Sequence, residues 1–436
     1  MRASIVVSAL SLLVLFQGCA FSKLETELIG AANLFVITGT VTSVTADAGA
    51  LVVSAYTASG QAVPIGYDVI QKPGRFALIL PAGRYKLAAF QDMNANKRWD
   101  RGEPAGYYGE IEPSGLKLQL HENVDITVDA DGSLPQDFPS DPFGVARQPV
   151  QLGDFGTSVT LDTPTFAPRY GQMGLWEPYT FLYEAAPGLY LLEPYDPNRV
   201  PVLFIHGTGG TPQDWRYFIN HLDRTRYQAW VYHYASGLPL ELSALYLNRM
   251  ADELHRMHAF ECVIVVGHSV GGLVGKRFID MNRAATGLTY VGLFISIATP
   301  WGGVESAEIG VNYAPTVIPS WVDISPESEF LVVLYSQASP LSVPHILFFA
   351  YGRDRVFRLA NTDGRVTLDS QLEPRIKNSA FAIDGFNADH VGILHSAAAF
   401  ERSTEFMDAT PRRKSSRAKS TNQSNVHDSK RLSVKD

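Results

Sequence analysis

Residues 262–274 read Cys-Val-Ile-Val-Val-Gly-His-Ser-Val-Gly-Gly-Leu-Val. The apolar, β-branched start of this stretch predicts a buried parallel strand, and Gly275-Lys276-Arg277-Phe278-Ile279 extends a helical pattern after it. Ser269 therefore falls on the turn between strand and helix. On so sharp a turn the serine backbone is strained and the chain passes close to itself two residues to either side. Gly267 and Gly271 leave the room this needs. The hydroxyl then projects above the sheet edge, and the Val270 amide at the helix start can face a developing oxyanion. G-x-S-x-G also occurs by chance in glycine-rich loops; the strand before it and the helix after it set this one apart.

At 436 residues the chain predicts two folded units plus tails, and 46% hydrophobic against 18% charged residues is enough to bury a large core. Arg2 is followed by an uncharged apolar run, Ala3 to Phe16, too short for a comfortable membrane span, and then by Gln17-Gly18-Cys19. This resembles the lipobox of bacterial lipoproteins, although Phe16 stands where that family usually has leucine. The resemblance implies that residues 1–19 are a signal peptide, that Cys19 is lipidated and becomes the mature N-terminus, and that residues 20–34 are a tether. Ala20 after the cysteine favours the outer membrane by the same resemblance. An ordinary secretory signal with an incidental cysteine is the alternative. With Cys19 lipidated, only Cys262 remains, so no intramolecular disulfide is expected. Residues 409–436 are basic and polar and read as a disordered tail. The net charge is nevertheless -8, which argues against nucleic acid as a substrate.

From 35 to 130, short alternating runs separated by turns predict a small β-sandwich, with strands at Val36–Val41, Leu51–Tyr56, Arg75–Leu80, Tyr85–Phe90 and Val124–Val128. The phrase from Phe76 through Pro81-Ala82-Gly83 to Tyr85 resembles transthyretin-like or carboxypeptidase-regulatory-like modules. Inside it, Asp92, Asn94, Asn96, Asp100 and Glu103 fall at the first, third, fifth, ninth and twelfth positions of a calcium-loop spacing, with the Arg98 carbonyl at the seventh. Lys97 stands where glycine is expected and no helices flank the loop. Structural calcium is one reading; a polar hairpin loop that satisfies its own backbone is the other.

Residues 131–149 are rich in Pro, Asp, Gly and Ser and read as a linker. From 150 to 408, strands alternate with longer helical stretches, which predicts a mostly parallel sheet covered by helices, an α/β domain. Val202–Ile205 leads into His206-Gly207-Thr208-Gly209-Gly210. This loop lacks the lysine and Ser/Thr of a P-loop and the full dinucleotide-binding spacing. Paired with the elbow, it reads better as the second half of an oxyanion hole, the Thr208 amide joining that of Val270.

A serine nucleophile needs a base, and the base an orienting carboxylate, in the chain order Ser, Asp/Glu, His. His390, in Asp389-His390-Val391-Gly392, is late enough to be the base. The acid is Asp363, in Asp363-Gly364-Arg365-Val366 followed by Ser370-Gln371, or Asp354, just after the Ile346–Ala350 strand; Asp363 is preferred for its longer motif. Together with Ala298-Thr299-Pro300-Trp301-Gly302-Gly303, these phrases make the region from about Leu189 to Phe400 resemble the lipase-like branch of the α/β-hydrolase superfamily. Val270 and Arg365 depart from the commoner residues of that branch. Residues 304–344 are too long for a bare connection and read as an inserted cap over the serine, as lids lie in lipases.

The expectation is an exported, lipid-anchored serine hydrolase of carboxylic esters, with an apolar acyl group, the membrane held through the N-terminal lipid and no cofactor needed for catalysis. Acyl transfer by the same triad, or a surface-tethered binding protein with an inert second domain, are the alternatives.

Overall fold

Short β-branched runs closed by turn residues build the first unit. Its strands are β1 (Leu34–Ser43), β2 (Ala50–Thr57), β3 (Pro64–Ile70), β4 (Gly74–Pro81), β5 (Tyr85–Asp92), β6 (Ala105–Ile111), β7 (Leu120–His121) and β8 (Ile126–Val128). One sheet has β1 paired with β4, β7 and β8; the other runs β3-β2-β5-β6. Ile37, Leu78 and Val124 share one hydrophobic cluster with Val53 and Leu87 of the second sheet. This computed structural model describes residues 21–31, 33–44, 49–60, 62–70, 73–96, 98–112, 120–121, 124–136, 138, 156–286, 290–336, 343–352 and 361–410. The expected signal segment with Cys19, most of the expected linker, Asp354 and the chain after 410 lie outside the described residues.

Residues 21–31, read from the sequence as a tether, form a helix. Leu24 is buried in a cluster with Leu175 and Ile318, and the Glu27 carboxylate accepts hydrogen bonds from the Thr180 N–H at 2.8 Å and hydroxyl at 2.6 Å. Leu24, Leu28 and Ala31 at helical spacing supply the apolar stripe that makes this a packed element. Ala31, Leu34 and Ile79 belong to the same cluster as Met250 and Leu254 on the helix Leu240–His258. Arg256 of that helix donates to the Pro73 carbonyl at 2.8 Å.

The larger unit is a seven-stranded sheet of β9 (Gly188–Leu191), β10 (Val200–Ile205), β11 (Tyr227–His233), β12 (Val263–His268), β13 (Val291–Ile297), β14 (His345–Ala350) and β15 (Ala382–Phe386). Its order is β15-β14-β13-β12-β10-β11-β9, and only β9 pairs antiparallel. Strands covered on both faces read as continuous apolar runs, and β10 and β12 do so. Leu203, Ile205 and Val265 point into one cluster; Val202, Phe204, Ile264 and Val266 point into the other. The strand order reverses at β10, flanked by β11 and β12. Ligands in such sheets bind beyond the carboxyl ends of the strands at this switch point, and His206 and Ser269 both follow strands that end there.

The segment expected to be a cap lies between β13 and β14 and contains the helices Glu305–Tyr313, Pro319–Asp323 and Glu329–Ser336. Polar contacts tie it down, among them two that involve charged side chains. Asp323 accepts the Leu240 N–H at 2.7 Å, a carboxylate at a helix N-terminus. Lys276, buried on the helix Val270–Thr286, donates to Asp280 at 2.7 Å and to the Leu334 carbonyl at 3.1 Å. Among the described residues, no helix is long and apolar enough to cross a membrane.

Candidate active site

The elbow has the strain its glycines imply. Ser269 adopts φ +53°, a left-handed conformation that costs an L-residue roughly 1–2 kcal/mol. Its N–H donates to Ile297 O and its carbonyl accepts from the Gly272 N–H, both at 2.9 Å, so backbone contacts on two sides hold it there. A Cβ on Gly267 would lie 2.5 Å from the Gly271 carbonyl oxygen, and one on Gly271 would run into the Ile205 carbonyl. The Ser269 side chain opens into a cleft of about 780 Å³ that is also lined by Thr208, Val270 and His390. Among the described residues its hydroxyl has no hydrogen-bond partner, and it forms none with His390; such contacts often tighten only when substrate is bound.

His390 and Asp363 are both buried, with the imidazole Nδ1 2.7 Å from Asp363 Oδ2. The His390 N–H also donates to the Asp363 carbonyl at 2.9 Å. The other carboxylate oxygen accepts the N–H groups of Arg365 at 2.9 Å and Val366 at 2.7 Å. Gln371 completes the shell, donating from Nε2 to Asp363 Oδ2 at 3.2 Å and to the carbonyls of Val366 and Ala350. Four contacts fix the carboxylate in place, and the Nδ1 contact directs the opposite ring nitrogen to the cleft.

Neither of the other histidines nearby is placed as a base. Burial lowers His206 to about 4, its ring stacked on Tyr234 and its Nδ1 2.9 Å from the Gly207 carbonyl. Burial, then the neighbouring His390, pushes His268 well below the usual histidine range, and its Nε2 sits 2.8 Å from the His390 carbonyl. That contact braces the loop carrying His390.

The Thr208 and Val270 N–H groups have no acceptor among the described residues, and both residues line the cleft. Their loops touch: a Cβ on Gly207 would lie 2.9 Å from that of Ser269. Ser236 Oγ accepts the Gly209 N–H at 2.8 Å and holds the glycine loop in place. Two unclaimed amides beside a hydroxyl can stabilise an anion formed on an attacked carbonyl. The cap contributes Val304, Glu305, Ser306 and Ile324 to the cleft wall.

Asp92 ends β5, and Asn94, Asn96, Asp100 and Glu103 lie in the loop between β5 and β6. Both Glu103 oxygens accept loop amides, from Met93 at 2.8 Å and Asp100 at 2.9 Å, and Asn94 and Asn96 each donate to Asp100 Oδ2 at 2.7 Å. Among the described residues, no three His, Cys, Asp or Glu side chains come together as a metal-holding group.

Residues 202–406 match the model of the Alpha/beta hydrolase family. The larger domain has the α/β-hydrolase fold. A curated relative, Lecithin-cholesterol acyltransferase-like 1 of Arabidopsis thaliana, is 25% identical over 165 residues, which are 34% of this chain and 35% of that protein. The chain thus spans about a third of that relative's length. Among solved structures, the α/β-hydrolase domain is similar to the mature lipase BlEst2 of Bacillus licheniformis, with 18% identity, a TM-score of 0.40, and 51% of this chain and 97% of that one covered. It is also similar to lipase B of Aspergillus fumigatus, with 13% identity, a TM-score of 0.39, and coverage of 51% and 56%.

Gln371 was not singled out from the sequence as a supporting residue, although it closes the Asp363 phrase as Ser370-Gln371. Nothing in the sequence marks Asp214 either. It lines the cleft, where burial raises its carboxyl above the usual range, and it accepts the Thr211 N–H at 3.1 Å.

Proposed function

We propose that the chain is a serine hydrolase of carboxylic esters, in the manner of lipases and esterases. Ser269 Oγ attacks the ester carbonyl carbon while His390 takes the hydroxyl proton. Asp363 orients the imidazole, and the Thr208 and Val270 amides receive the oxyanion. Collapse breaks the ester C–O bond and His390 returns the proton to the leaving alcohol. Water, activated by the same histidine, then releases the acid. The observation that carries this reading is the strained Ser269 in one cleft with a histidine held 2.7 Å from a buried carboxylate. No cofactor enters these steps.

A fluorophosphonate probe is expected to label the purified wild type and not Ser269→Ala. Absence of labelling on folded wild type would sink the reading and move the binding-protein alternative ahead. Transfer of the acyl group to an alcohol is the second reading, favoured by the name of the Arabidopsis relative; product analysis with a competing alcohol separates the two. On the Gln17-Gly18-Cys19 phrase we propose export, lipidation of Cys19 and attachment to the cell envelope. On spacing alone, calcium in the Asp92–Glu103 loop remains a proposal.

A further inference from the structure

Among the residues lining the cleft, Arg365 is the single lysine or arginine. Its backbone is fixed close to the reacting groups, because its N–H is bonded to Asp363 Oδ1 at 2.9 Å and that of Val366 to the same oxygen at 2.7 Å. Its side chain is exposed and, among the described residues, makes no hydrogen bond or ion pair. Its charge reaches into the cleft, acting on Asp214 and His268 at a distance, but no acid of the cleft pairs with it directly. Asp214 takes the Thr211 N–H as part of a capping box, and Glu305 stands on the helix Glu305–Tyr313; among the described residues, neither forms an ion pair with the guanidinium. Other arginines of the domain are paired: Arg277 with Glu241 at 2.6 Å, Arg199 with Glu193 and Asp196, Arg402 with Asp384 at 3.0 Å.

A guanidinium is a rigid planar fork that matches the two oxygens of a carboxylate or phosphate. Here such a fork, with its base clamped to the proposed acid's own loop, faces the cleft of the serine. We infer that the ester substrate carries an anionic group, carboxylate or phosphate, that Arg365 receives while the ester carbonyl sits at Ser269. This rests on the serine-hydrolase reading above and names a substrate class within it: acidic esters rather than neutral ones. The apolar wall from Val304, Ile324, Val366 and Leu394 is compatible with an apolar acyl chain on the same molecule.

The test compares matched pairs of esters. 4-Nitrophenyl butyrate against 4-nitrophenyl hemiglutarate places a carboxylate on the acyl side, and monobutyrin against 1-butyrylglycerol 3-phosphate places a phosphate on the alcohol side. For each pair the ratio of kcat/KM, anionic over neutral, is measured for wild type, Arg365→Gln and Arg365→Lys. Loss of a charge-assisted fork is expected to lower that ratio by about 10- to 100-fold in Arg365→Gln, with partial recovery in Arg365→Lys. The pair that responds identifies which anion is read. The wild-type ratio should also fall as salt is raised. Ratios unchanged by Arg365→Gln in both pairs would overturn the inference. If no ester of either kind is turned over and fluorophosphonate labelling of Ser269 also fails, it is the hydrolase reading that has failed.

Discussion

Asp363 and His390 are joined twice, once through the carboxylate and imidazole at 2.7 Å and once through the Asp363 carbonyl and His390 N–H at 2.9 Å. The backbone bond holds the two loops together whatever the side chains do, so chemistry at the pair can be altered with little change in its geometry.

Asp363→Asn is therefore expected to fold and to lose activity. An amide in place of the carboxylate presents a donor to Nδ1 and favours the wrong imidazole tautomer, which costs on the order of 10⁴-fold in kcat in the Ser-His-Asp template. Ester turnover and thermal unfolding measured side by side check this. A variant with near wild-type kcat would remove Asp363 from the proposed triad.

Ser269 at φ +53° sets up a comparison between two inactive variants. Glycine accepts the left-handed conformation without the Cβ clash that alanine keeps. Ser269→Gly is thus expected to be more stable than Ser269→Ala by about 1 kcal/mol. Urea unfolding of the pair decides; equal midpoints and slopes would mean that the elbow relaxes once the hydroxyl is gone.

Lys276 and Asp280 form an ion pair at 2.7 Å beneath the cap, with the lysine side chain 3% and the aspartate 16% exposed. Removing one partner of a buried pair strands the other, at a cost of about 3–5 kcal/mol. Lys276→Met is expected to lose stability in that range, and Asp280→Leu added to it to restore part of the loss. Strictly additive costs in the double-mutant cycle would show that the contact is not coupled.

Acid sensitivity has a named contributor in His345. Burial, aided by the charge of Lys276, lowers it to about 3; its Nε2 contacts Ser296 Oγ at 2.8 Å and its ring stacks on Phe294. The folded state keeps it neutral while the unfolded chain takes up a proton below about pH 6.5. Its contribution is present in full above that pH and is lost as pH falls toward 3. In His345→Phe the slope of unfolding free energy against pH between those limits should diminish by about 1.4 kcal/mol per pH unit, one proton's worth. An unchanged slope would mean that His345 is already charged in the folded protein.

The elbow was legible because its determinants are local: β-branched residues, two glycines and a helical continuation within thirteen positions. The β10 and β12 strands were legible for the same reason. Segments whose pattern is blunted were missed. β3 begins with Pro64 and carries Gly66 and Asp68, and β15 is an edge strand, Ala-Ile-Asp-Gly-Phe, with no fully buried residue. The 21–31 helix has an apolar stripe in plain view, but its position next to an expected signal segment suggests a tether. Gln371 supports Asp363 through contacts made only when the chain folds back on β14, and periodicity carries no trace of that.

The crowding at the elbow separates what selection sees there into two kinds. Gly267 and Gly271 exclude a side chain because carbonyl oxygens occupy its place, and Gly207 because Ser269 does. Ser269, by contrast, already carries a side chain, and its left-handed backbone favours a small residue without requiring serine. A descendant without the proposed reaction could exchange the serine for glycine or another small residue and would still have to keep Gly267 and Gly271 in order to fold. Across a set of sequences, these two glycines report descent of the architecture, and only the residue between them reports whether the reaction survives.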